Sequence, residues 1–299
     1  MKALISDARN AFHKRLLDTI LTIDAKGIPS NADRGNRLSV LLAQKVREHI
    51  IENVKSENVK EQQADYAVSK AKAAGQSSGN IFEREVMTFL AATFPKLQHL
   101  RPGAWHILQL GNQSQVKTSD FAQYEHLAYL SHLMKADAQL AAVLGNGYMV
   151  APDVIIYRDL CTDEELNAPE EIVDASSAKA AALRKANGGK PILHASVSAK
   201  WTMRSDRAQN SRTEALNLIR NRKGSLPHIV VVTGEPAPSR LASLAMGTGD
   251  IDCVYHFALY ELMEAVREAG ADDAGILLKT LTDGKRLKDI SDLPLDLCI

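Results

Sequence analysis

An α/β fold, one sheet covered by helices on both faces, is what this sequence predicts, and three observations carry the prediction. In the first half, apolar residues recur at helical spacing. The second half holds short runs rich in Val and Ile, bounded by Pro, Gly or Asp, which read as strands. Those runs alternate with further helical segments, and that alternation belongs to a sheet flanked by helices. With 299 residues, 45% of them apolar and 24% charged, the chain can bury a substantial core. It contains no long linker rich in Pro, Ser or Gly, so a single domain over residues 1–299 is expected.

Taken in order, helical spacing covers 4–22, 37–52, 81–98 and 122–144. Residues 52–74 are polar, carry a short ENVK duplication too small to be a structural repeat, and read as helix fragments leading into an exposed loop at 75–80. Strands are expected in "YMVAPDVIIYRD" (148–159), "PILHASVSAKWT" (191–202), "PHIVVVTG" (227–234) and "IDCVYHF" (251–257). Helices are expected at 205–222, 258–269 and 272–282, and 175–190 reads as a long surface connection.

Lys plus Arg and Asp plus Glu each number 36, so net charge selects no partner, and recognition has to come from local fields. Cys161, Cys253 and Cys298 are far apart and in no metal-ligand spacing, which reads as free thiols in a reducing compartment. The N-terminus is a charged amphipathic helix rather than a signal peptide, and no apolar run approaches the ~18 residues of a membrane span. A soluble, cytoplasmic protein without membrane contact is expected.

Chemistry concentrates around two strands. Asp153 follows Pro152 at the start of one. In "LHASVSAK", alternation puts His194, Ser196, Ser198 and Lys200 on one face. A carboxylate on one strand and a lysine at the end of its neighbour suit metal-assisted phosphodiester hydrolysis: the carboxylate holds Mg²⁺, and the lysine orients water or stabilises the charged transition state. The same residues also suit a turn-capping Asp and an edge Lys.

Beyond Lys200, Ser205 and Asp206 are good helix N-caps. Glu214 lies two turns past Arg207 on the same face, so it points back toward the strand ends, where a second carboxylate can complete a metal site. Residues 200–223 hold seven Lys or Arg against two acids, a surplus suited to phosphate. Arg204, Asp206 and Arg207 have the groups that read G·C pairs in a major groove, though a helix start laced with ion pairs explains the tetrapeptide equally. His194 reads as a packed or supporting histidine, "GTGD" (247–250) lacks the P-loop lysine, and Trp105 and Trp201 suit the core or DNA-flanking packing.

Taken together, "PD" (152–153), "SAK" (198–200), "RSDR" (204–207) and Glu214 resemble the CCGG-cutting, NgoMIV-type type II restriction endonucleases of the PD-(D/E)xK superfamily. The likeness runs through "SNAD" (30–33), "GQSSGNIFE" (75–83), "KLQHLRPG" (96–103), "LPHIVVVTGEP" (226–236), "GTGDIDCVYHFALYEL" (247–262) and "GKRLKDISDLPLDL" (284–297).

The resemblance implies a restriction-endonuclease-like fold with a central mixed β-sheet, and Mg²⁺-dependent cleavage of double-stranded DNA at GCCGGC. Asp153 would be the metal-binding carboxylate and the backbone carbonyl of Ala199 the other protein ligand, with two Mg²⁺ per site. Ser198, Lys200, Glu214 and Glu83 would complete the catalytic set. Arg204, Asp206 and Arg207 would read CCGG, and Asp33 and Gln76 the outer pair. It further implies a homotetramer built as a dimer of dimers, and a cognate DNA methyltransferase in the same system. The competing readings are a DNA-binding regulator without catalysis, against which Asp153, Lys200 and Glu214 argue, and a structure-specific nuclease, which would lack the base-reading Arg and Asp. Residues 52–74 depart most from the family pattern.

Overall fold

The computed structural model describes residues 3–57, 77–110, 116–137, 139, 152–203, 205–247 and 249–299, with the backbone alone at 57 and 205–207. Three helices open the chain: α1 (Leu4–Thr19), α2 (Arg37–Glu57) and α3 (Ser78–Thr93). One stripe of α1 buries Phe12, Leu16 and Leu17, as its apolar spacing requires. Phe12 meets Phe82 and Phe89 of α3 with ring centroids 6.4 and 5.7 Å apart. Helix α3 starts where the Ser77 hydroxyl accepts the Asn80 N–H at 3.3 Å and gives way to a 3₁₀ turn at Phe94-Pro95.

Next come β1 (Trp105–Gln109), α4 (His126–Ala136), β2 (Val154–Arg158), the short α5 (Asp163–Leu166) and β3 (Ile192–Lys200). They are followed by α6 (Ser205–Asn221), β4 (His228–Thr233), α7 (Pro238–Ala245), β5 (Cys253–His256), α8 (Leu259–Glu268), α9 (Asp272–Asp283), β6 (Leu287–Asp289) and α10 (Leu293–Asp296). The sheet runs β1-β2-β3-β4-β5-β6. Pairing is antiparallel from β1 to β3 and parallel from β3 to β6, so the sheet is mixed. Both alternating sets of β3 side chains are buried between Leu193 and Ala199, which is the mark of a strand covered on both faces.

Besides the one-turn helices α5 and α10, three elements escape the sequence pattern. Strand β1 is a partly exposed edge, β6 is three residues long, and α7 begins on Pro238 beside a strand end. The expected helix at 122–144 is shorter in its described part, a 3₁₀ turn at Ala122–Tyr124 followed by α4. Positions 140–151, and with them the start of the expected strand at 148, lie outside the described residues, as do 58–76. The connection at 175–190 is fastened from within: Arg184 forms a two-pronged pair with Asp163, both bonds 2.7 Å long.

A β-bulge interrupts β3 at His194, where Ala195 and Leu193 face consecutive residues of β2. The His194 ring stacks on Phe94 at 5.6 Å and bonds the Leu297 carbonyl through Nε2 at 2.7 Å, so it is a packed strand histidine. Just past β3, Trp201 sits between Phe82 and Phe257, with centroids 5.1 and 5.5 Å away. It closes the core between helices and sheet. Gly234 lies so near this ring that a Cβ there would meet it at 2.6 Å. Among the described residues no helix is long and apolar enough to cross a membrane.

The strand directions decide where a site can form. Because β2 runs against its neighbours, its first residue emerges beside the last residues of β1, β3 and β4. Asp153, Gln109, Lys200 and the turn after Thr233 therefore meet at one end of the sheet.

Candidate active site

At that end Asp153 accepts three donors, all on one oxygen. Oδ2 takes the Lys200 Nζ at 2.7 Å, the Ala199 N–H at 2.8 Å and the Ser198 hydroxyl at 3.4 Å. Carboxylate and ammonium are each 16% exposed, so the pair is largely screened from water yet reachable. Among the described residues nothing holds Oδ1. In a strand, a residue's N–H and C=O lie along the same edge. The Ala199 carbonyl therefore shares the edge from which its N–H reaches Asp153.

Ser198 is buried, and its hydroxyl also meets the Ser211 hydroxyl of α6 at 3.2 Å. It ties the end of β3 to that helix rather than standing free as a nucleophile. Glu83, one turn into α3, accepts the Gln109 amide at 3.2 Å, and Gln109 also donates to the Asn80 carbonyl. Burial and then the nearby Asp153 charge raise the Glu83 carboxyl above the ordinary glutamate value. Glu214 is raised too, first by burial, with Asp153 and Glu83 adding to it and Lys200 opposing. Three carboxylates thus sense one another across a space that holds one ammonium.

That imbalance fits a cation. Among the described residues no three His, Cys, Asp or Glu side chains form a ready-made cage. A metal would instead be held by Asp153 Oδ1, the Ala199 carbonyl and water, with Glu83 and Glu214 at the margin. A hard, oxygen-only donor set of this kind suits Mg²⁺.

The expected base-reading residues are less evenly covered. Arg204 and Gln76 lie outside the described residues. Asp206 and Arg207 fall in the first turn of α6, where the backbone is helical. Asp33 is described: it is paired with Arg240 of α7 and accepts the Gly35 N–H at 3.1 Å. Among the described basic side chains between 200 and 223, Lys200 and Arg212 point inward. Lys200 is taken by Asp153, and Arg212 by Asp250 at 2.7 Å and the carbonyls of Ser243 and Leu244 at 3.0 and 2.9 Å. Fewer cations are left for phosphate than the sequence count suggests.

Sequence reasoning missed Arg240 and Glu235. Arg240 stands between Asp33 and the buried Glu235, 3.6 Å from the latter. The available signal was an acid in "TGEP", between a glycine and a proline at a strand end.

The profile of the NgoMIV restriction enzyme family matches residues 12–299. Over 300 residues, covering all of both proteins, the chain is 48% identical to the type II restriction enzyme NgoMIV of Neisseria gonorrhoeae. A solved complex of restriction endonuclease PspGI with substrate DNA aligns over 98% of this chain and 90% of that one, at 13% identity and a TM-score of 0.29, too low to carry weight.

Proposed function

As a member of the NgoMIV restriction enzyme family this chain is a type II restriction endonuclease, and we propose that it hydrolyses both strands of duplex DNA at GCCGGC with Mg²⁺. The observation that carries the chemistry is the Asp153–Lys200 pair, 2.7 Å apart at the shared end of β2 and β3, with Glu83 and Glu214 raised beside it.

With Oδ2 engaged by three donors, Asp153 would hold a metal through Oδ1, and the Ala199 carbonyl would be the second protein ligand. When bound there, two Mg²⁺ per site on this reading would supply a Lewis acid that lowers the pKa of coordinated water. Lys200 keeps its ammonium at the strand end. There it orients the attacking water and, as the phosphorus–oxygen bond to the leaving strand breaks, stabilises the added negative charge. Glu83 and Glu214, whose carboxyls burial raises above the ordinary glutamate value, can in their ionised form accept a proton or bond outer water. Ser198 fixes Asp153 and α6 in place.

For specificity, Arg204, Asp206 and Arg207 read the CCGG core in the major groove, and Asp33 and Gln76 the outer pair. A palindrome needs two-fold symmetric protein, so a dimer is the minimum, and the reading extends to a tetramer of two dimers. It also covers a single domain over 1–299, supported by one continuous core, a cytoplasmic setting and a methyltransferase that shields host DNA.

Digestion of a sequenced plasmid with and without Mg²⁺, with fragment ends mapped, tests the proposal. Ends confined to GCCGGC and dependent on metal are expected. Metal-independent cutting, or ends at unrelated sequences, would overturn it.

A further inference from the structure

Glu235 lies two residues past β4 with its side chain fully buried. Its two oxygens have separate tasks. Oε2 accepts the Met203 N–H at 2.9 Å, and Oε1 accepts the Ala237 N–H, which opens α7, at 3.1 Å. Arg240 Nη1 stands 3.6 Å from Oε2, and the same guanidinium is paired through Nη2 with Asp33. Burial pushes this carboxyl up, while the two N–H groups and Arg240 pull it back down. A carboxylate sunk this far from water is costly unless its partners need it. Here the partners form a pattern: Met203 is the residue immediately before Arg204, and Asp33 lies on a loop about 200 residues away along the chain.

We propose that Glu235 is a positioning residue that holds the inner-base and outer-base readers of one half-site in a single frame, through the Met203 backbone on one side and the Arg240–Asp33 pair on the other. The role rests on the assignment of 204–207 and Asp33 to base reading made above. It requires a carboxylate rather than an amide. Two backbone N–H groups are met by two acceptor oxygens, and a glutamine offers one acceptor and one donor. In Glu235→Gln, one N–H must face an NH₂ group, and the anionic partner of Arg240 disappears. Rigid support of this kind sets how accurately a reader meets its base.

The experiment measures binding in Ca²⁺ to four duplexes: GCCGGC, the same site changed at an inner pair, the same site changed at the outer pair, and random DNA. Glu235→Gln is expected to lose about tenfold or more in discrimination at both the inner and the outer pair, with affinity for random DNA unchanged. Asp33→Asn should lose discrimination at the outer pair alone. Because Glu235 acts on that pair through Asp33, adding E235Q to D33N should cost little more there. Full retention of either preference by E235Q, or an equal loss on random DNA, overturns the positioning role. If E235Q does not fold, Glu235→Asp keeps the buried charge but shortens its reach, and the same losses are expected and the same retention is decisive. Wild-type protein that does not distinguish the four duplexes overturns the base-reading assignment itself, and the positioning role with it.

Discussion

Replacing Asp153 separates its structural work from its chemical work, because among the described residues the donors to its side chain converge on Oδ2. In Asp153→Asn the amide oxygen can take the Oδ2 position and keep all three donors, while NH₂ replaces the oxygen proposed to meet the metal. Weakening an ion pair to a charge–dipole contact costs about 1 kcal/mol. For a chain of this size that is a melting shift of about 2 °C. Asp153→Ala removes the acceptor altogether. The Ala199 N–H and the Lys200 ammonium are then both left without a partner in a largely buried place, a gross cost of roughly 3–6 kcal/mol. Relief of repulsion on Glu83 and Glu214 offsets part of it, so a net loss of roughly 2–4 kcal/mol, or about 4–8 °C, is expected.

Cleavage should not follow stability. Both variants lose the metal-facing oxygen, and loss of one such electrostatic contact to a developing charge costs about 10²–10³ in rate. Linearisation of a one-site plasmid in saturating Mg²⁺ and thermal melting, run in parallel, test the division. The expected pattern is two equally inactive proteins, of which only the alanine variant melts well below wild type. An asparagine variant that cuts within about tenfold of wild type would refute the metal-facing role. An alanine variant that melts with wild type would refute the hydrogen-bond accounting.

Glu83 and Glu214 have folded-state pKa values raised above the ordinary 4.5. Their contribution to stability is fully present below that value and is lost as pH rises through the raised ones. Glu214→Gln should therefore melt higher than wild type at pH 8 and converge with it near pH 4.5, while cutting falls; a melting difference that grows in acid would reverse the assignment. Arg204→Ala and Arg207→Ala should each cost ~1–3 kcal/mol of discrimination for CCGG over random duplex, and equal losses on both DNAs would mean that the arginines touch only phosphate. If the protein is a dimer of dimers, a two-site plasmid should be cut faster than a one-site plasmid, and added short duplex should speed the latter, since the second site binds at high effective concentration. Light scattering should then give four chains of 32.7 kDa, and a dimer that cuts both plasmids equally would exclude the tetramer.

What the sequence made legible follows from what each element needs. Helices α1, α2, α6, α8 and α9 each bury one stripe, so the 3.6-residue period survives in them. Strands β3 and β4 are buried on both faces and appear as apolar runs. Strand β1, "WHILQ", is an edge with an exposed histidine, and β6 is held by its neighbours rather than by its own composition, so neither leaves a periodic trace. The bulge at His194 was equally invisible, because it is a property of register between two strands.

The candidate site divides along the same line. Asp153, Ser198 and Lys200 sit on two paired strands, and the antiparallel turn of β2 brings a strand start beside a strand end, so a short motif in each can be read from sequence. The Asp33–Arg240–Glu235 chain joins residues that share no element and no spacing, and only the folded structure brings them together. Helix α6 links the two halves. It carries Glu214 toward the Asp153–Lys200 pair and begins with residues 205–207. It is anchored at Ser211 to β3 and at Arg212 to Asp250 and the end of α7. At the start of α7, Arg240 grips Asp33. A displacement of α6 by the wrong base would therefore act on Glu214 and on the α7 contacts together. On the proposed assignment of 204–207 to base reading, misreading and misplacement of the carboxylate would be one event, because one helix anchored at Ser211 and Arg212 carries both.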